Sequence, residues 1–154
     1  MKLTTKLTIA LVVLLIACWS ASAQETATNG NEKRVGLNEV AVAHDDDEVA
    51  ALQGTLRTTA LNGSPDSPVT NVSLIVKNTS GIPYAFVSGV VTFYDSAGIR
   101  CGEGIFKADA LAVDESFETD SPGVRIRCEA TTWRIVATHL LPRSPATPPP
   151  VRQP

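Results

Sequence analysis

The run Tyr84-Ala85-Phe86-Val87-Ser88-Gly89-Val90-Val91-Thr92-Phe93-Tyr94-Asp95 decides the fold class of this chain. β-Branched and aromatic residues dominate it, and Val87, Val91 and Phe93 share one parity, the pattern of a strand with one face in a core. Gly89 falls on the same parity, which predicts a bulge or a close neighbour there. Asp95-Ser96-Ala97-Gly98 follows as a type-I turn, and Ile99 to Phe106 returns as the partner strand.

The same alternation extends to both sides. Val72, Leu74 and Val76 recur at period two, and Asn78-Thr79-Ser80-Gly81 with Pro83 ends that strand. Upstream, Asn62 to Pro68 concentrates turn formers. Val49 to Thr58 reads as a strand, with a short helix ending at Gly54 as the alternative. Downstream, Ser116 to Thr119 gives a short strand and Ser121-Pro122-Gly123 a turn. The last strand, Thr131 to Leu141, places Trp133, Ile135, Ala137, His139 and Leu141 on one parity. Short strands with regular turn signals, and one more if Val35 to Ala43 contributes it, predict an all-β antiparallel β-sandwich over 48–141.

Val91-Thr92-Phe93-Tyr94-Asp95-Ser96-Ala97-Gly98 resembles the FxLYD domain, a module of exported prokaryotic proteins. Val91 stands where the family name has Phe, Phe93 where it has Leu, and Tyr94-Asp95 match. The strand ending in Lys77-Asn78 before a Gly-containing turn is similar too, so the resemblance covers about Val69 to Leu141. It implies an immunoglobulin-like sandwich and brings no catalytic residues with it.

The flanks speak of export. Lys2 and Lys6 precede an unbroken apolar run from Leu7 to Ala17, followed by small residues, which reads as a signal peptide over 1–23. The apolar run is too short for a transmembrane helix, which needs about 20 residues. Two processing sites compete: Ala21-Ser22-Ala23 before Gln24, and Leu15-Ile16-Ala17-Cys18, which resembles a bacterial lipobox and would limit the signal to 1–17. Lipidation of Cys18 would tether the domain to a membrane, since each buried methylene contributes about 0.8 kcal/mol. Residues 24–47 read as a flexible acidic leader and 142–154 as a Pro-rich disordered tail. The expected location is extracytoplasmic, either secreted or periplasmic, or membrane-anchored as a lipoprotein.

Composition narrows the function classes. Of 13 basic and 16 acidic residues only Lys2 and Lys6 lie in the signal, so the mature chain is more acidic than the −3 of the whole sequence. That balance opposes nucleic-acid binding, which runs on phosphate neutralisation. Cys101 and Cys128 remain as the one pair for a disulfide in an oxidising compartment. Closing about 28 residues would remove denatured-state entropy worth roughly 3.6 kcal/mol.

The bridge predicts Arg100 beside Arg127, with Arg125 near, as an anion or acidic-partner patch; ion pairing with Glu103 and Glu129 is the plainer expectation. His44 and His139 are the only histidines, and neither a Gly-x-Ser-x-Gly elbow nor a phosphate-binding Gly loop is present. The acidic run Asp45-Asp46-Asp47-Glu48 lacks the alternation of an EF-hand and reads as a solvated turn. No cofactor or metal is expected. The leading expectation is a non-enzymatic exported or envelope-anchored module for protein or glycan contact. The rivals are a secreted hydrolase or enzyme accessory using His139 with Asp120, and a structural envelope component that pairs by strand edges.

Overall fold

Period-two patterning sorts the chain into eight strands: β1 Val35–Gly36, β2 Ala41–His44, β3 Ala50–Leu56, β4 Ser73–Asn78, β5 Tyr84–Tyr94, β6 Arg100–Leu111, β7 Ser116–Asp120 and β8 Thr132–Pro142. The computed structural model describes residues 33–144. The signal peptide, Cys18, the first part of the leader and the end of the Pro-rich tail lie outside them. Among the described residues every regular element is a strand, in two four-stranded antiparallel sheets ordered β1-β8-β5-β6 and β2-β3-β4-β7. Their inner faces form one sandwich core, in which Trp133, Phe93, Phe106, Leu52 and Ile135 are fully buried.

The leader boundary needs correcting. Residues 24–47 do not all lie outside the domain, because Val35–Gly36 pairs with β8 and Ala41–His44 pairs with β3. Ala41 and Ala43 are buried with Val42 and His44 alternating half-buried between them, so alternation exists there in small side chains. The helix alternative ending at Gly54 is likewise replaced, since Ala50–Leu56 pairs on both sides. β6 runs past Phe106 to Leu111, held along its length by β5.

The β5–β6 hairpin follows the sequence closely. Asp95 Oδ1 accepts from the amides of Ala97 at 3.0 Å and Ile99 at 2.9 Å, and the Gly98 amide donates to the Asp95 carbonyl at 3.0 Å. Gly98 takes φ +77°, the left-handed position that closes a three-residue hairpin loop. Gly89 answers both expectations made for it. The β5–β8 register shifts at Ser88/Gly89, and a Cβ on Gly89 would run into the Phe106 ring and the Val136 carbonyl.

That shift has a consequence for β8. Ser88 pairs with His139 and Gly89 with Ala137, which leaves Thr138 as the extra residue of a bulge. Side-chain parity reverses beyond it. Leu140 therefore packs against the core while His139 and Leu141 are exposed, correcting the expectation that the latter two share the Trp133 face.

Asn78, at the end of β4, is buried with all its side-chain capacity used. Its Nδ2 donates to the carbonyls of Ile82 at 2.9 Å and Ala112 at 3.0 Å, and its Oδ1 accepts from the Ser80 amide and hydroxyl. It thereby joins the β4–β5 turn to the β6–β7 turn. Asn78→Ala leaves the Ile82 carbonyl to the Ser80 hydroxyl at 3.0 Å and the Ala112 carbonyl to the Glu115 amide at 3.3 Å, and with four hydrogen bonds lost it is expected to cost about 1–3 kcal/mol, read as a shift of the urea midpoint. A loss below the error of the fit would show that the network contributes nothing.

Candidate interaction groove on an open sheet edge

Sheets end in edges, and the two edges of the β1-β8-β5-β6 sheet are treated differently. Over the first half of β6 the chain folds back: Ser121 Oγ donates to the Ile105 carbonyl at 2.9 Å and the Arg127 amide to the Cys101 carbonyl at 3.0 Å, while Phe106 to Leu111 have no backbone partner but β5 among the described residues. The Cys101–Cys128 disulfide fixes that return, with Cα atoms 5.9 Å apart. Such covering removes a template for unwanted pairing. The other edge is open. β1 pairs with β8 only at Val35↔Trp133 and Gly36↔Thr132. Among the described residues, no backbone group pairs with Ile135 to Pro142 on the side away from β5.

Two clefts share His44, and one of them borders β8. One, of about 320 Å³, is walled by Ala137, Thr138, His139, Leu140 and Pro142 of β8 and, opposite, by His44 and Asp45 to Asp47, with Ile82 and Tyr84 completing it. The other, of about 360 Å³, is an apolar trough between Val35, Val40, Val42 and Ala50, with Lys33 and His44 at its margin. Val40 is half exposed.

The acidic lip repeats the chemistry of the β5–β6 turn. Asp45 Oδ1 accepts from the amides of Asp47 at 3.0 Å and Val49 at 2.9 Å, as Asp95 does in its own turn. The left-handed position held there by Gly98 is held here by Glu48, at φ 60°. A non-glycine residue there costs about 1 kcal/mol. Glu48→Gly is expected to raise stability by up to about 1 kcal/mol in urea titration, and a destabilised variant would refute the assignment of strain. Asp45 is thus occupied by the turn, whereas Asp46 and Asp47 are exposed. Neither has a basic side chain within 4 Å among the described residues.

The other residues singled out by sequence fall elsewhere. His139 on β8 presents its ring edge-on to Phe86, centroids 6.1 Å apart, while Asp120 on β7 pairs with Ser73 in the other sheet. Asp120 does not line the cleft beside His139. Arg100 Nη1 sits 2.9 Å from Glu103 Oε2, as expected, whereas Glu129, whose backbone forms a β-bridge with Asn62, has no basic side chain within 4 Å among the described residues. Arg125 and Arg127 flank buried Ile126 and are exposed, with no carboxylate within 4 Å among the described residues. The disulfide does bring them to the strand end carrying Arg100, where exposed pairs contribute at most about 1 kcal/mol each.

Tyr94, one of the two residues matching the FxLYD name, lies on the outer face yet is only 3% exposed. The Arg34 guanidinium covers its ring at 3.8 Å and donates to the Gly98 carbonyl at 2.9 Å, and Arg134 stands 5.8 Å from the ring centroid. Sequence reading missed the groove itself. Only a weak signal pointed to it, the acidic run placed before a strand. No protein-family profile, curated protein or solved structure matches this chain.

Proposed function

We propose that this chain is an exported, non-enzymatic module of the FxLYD, immunoglobulin-like kind, whose work is contact with another macromolecule outside the cytoplasm. The observation that carries the reading is the cleft between the end of β8 and the Asp45 to Asp47 turn, where β8 has no backbone partner but β5 among the described residues, on a sheet whose β6 edge is stapled at Cys101. An open strand edge offers a row of amides and carbonyls to an incoming chain, which favours protein over glycan as the partner. The disulfide supports an oxidising compartment. Tyr94-Asp95 supports the kinship by its local role, because the ring buries under Arg34 and the carboxylate closes the hairpin.

A photoreactive side chain placed at position 138, beside the groove, tests this in cells expressing the full chain with its own signal. Covalent adducts are expected from position 138 and not from position 55, exposed on β3 of the other sheet. Adducts from 55 alone, or from neither, would end the reading. Intact mass of the mature protein in separated membrane and soluble fractions reports the new N-terminus, any lipid on Cys18 and the bridge together.

A further inference from the structure

We infer that the uncovered half of β6 is a self-association edge, on which a second copy of this chain pairs antiparallel about a two-fold axis at Ala108; it does not rest on the cleft beside β8. Phe106 to Ala110 have no backbone partner but β5 among the described residues. Ser121 Oγ closes one end of that stretch at the Ile105 carbonyl, and Ala110, at φ 56°, takes the chain out of extended geometry at the other. The open stretch is therefore short and bounded.

Parity and charge together choose the occupant. The Ile105 carbonyl points away from β5, and the β5–β6 register is unbroken from Gly102 to Leu111, so strand alternation aims the N–H and C=O of Lys107 and Asp109 outward as well. Both side chains are exposed, and neither has an opposite charge within 4 Å among the described residues. Two antiparallel copies can set Lys107 against Lys107, Asp109 against Asp109, or Lys107 of one against Asp109 of the other. Only the last puts opposite charges directly across the ladder, where they stabilise and like charges destabilise. That register places Ala108 on the axis and forms the pair once in each direction, each time with both backbone hydrogen bonds. A lone lysine on an edge repels a second edge; Asp109, two residues on, turns it into a register key.

The test is sedimentation velocity of the full mature chain between about 1 and 500 µM, since an interface this small belongs to the weak class. A monomer–dimer equilibrium is expected. Lys107→Asp or Asp109→Lys alone sets like charges across the axis and should weaken the dimer at least about tenfold, and Lys107→Gln about threefold. Mixed in equal amounts, the two charge-reversed single variants should pair with each other. The double exchange Lys107→Asp/Asp109→Lys should return the native affinity to within about threefold. Circular dichroism at the dilute end is expected to show every variant folded, because both positions are exposed. Amide exchange at Lys107 and Asp109 should slow as concentration rises, with no such change along β8. A monomer at every concentration overturns the inference, as does a dimer indifferent to the single exchanges, a double exchange that stays monomeric, or protection that rises along β8 instead.

Discussion

Replacing Trp133 by Ala is expected to cost about 3–5 kcal/mol, a large share of the roughly 5–15 kcal/mol that holds a domain of this size folded. Trp133 is fully buried, pairs with Phe93 on one side and Val35 on the other, and heads the largest side chains of the core. Its indole Nε1 donates to the Gly36 carbonyl at 3.1 Å. The ring thus fills the sandwich and pins β1, a strand of two residues that could not hold itself. Trp133→Phe separates the two roles. It keeps an aromatic ring in the core, loses the hydrogen bond, and should cost about 1–2 kcal/mol with faster amide exchange confined to β1 and its surroundings. Denaturation followed by far-ultraviolet circular dichroism decides it; a loss under about 1 kcal/mol for Trp133→Ala would displace this residue from the centre of the core.

Removing the bridge by Cys101→Ala/Cys128→Ala should cost about 3–4 kcal/mol, from the closed-loop entropy of a sequence separation of 27. Folded-state geometry adds a local effect. Cys128 anchors a segment whose Gly63–Cys128, Val69–Ile126 and Arg127–Cys101 backbone bonds join loop, return and β6 edge. Without the bridge that segment should exchange its amides faster than β5, and the β6 edge should become available for association. Urea midpoints with and without reductant, together with light scattering of the reduced form, measure both effects. Equal midpoints would show that the staple adds nothing to the fold.

The strands with large alternating side chains were legible because burial of one face imposes period two. Val72 to Val76, Tyr84 to Asp95 and the start of β8 are of this kind. Ala41 and Ala43 are fully buried yet carry so little apolar area that β2 looked like leader. β6 was cut short at Phe106 because Lys107 and Asp109 face solvent and Ala108 is small, although β5 pairs with all three. Parity beyond Ala137 was unreadable for another reason. A bulge depends on the partner strand, and nothing in Thr138 itself announces it.

The candidate site divides in the same way. Cys101 with Cys128 and Arg100 with Glu103 were readable, the first from compartment chemistry and the second from spacing along one strand. Whether His139 meets Asp120 was not legible, because nothing in the sequence says that β7 and β8 belong to different sheets. The groove is the part that sequence conceals most fully. It lies between the end of β8 and the turn after β2, and the meeting of two elements so far apart in the chain is a property of topology rather than of any residue.

The unequal edges of the β1-β8-β5-β6 sheet bear on fibre growth. Indefinite stacking of identical sheets requires two complementary faces per molecule, one to receive and one to offer. Here Ser121, Arg127 and the bridge occupy the Cys101 to Ile105 half of the β6 flank, so a chain arriving at β8 finds only the remaining half-strand open to the next. The same staple that steadies the fold thus shortens the template on which a stack of sheets would grow.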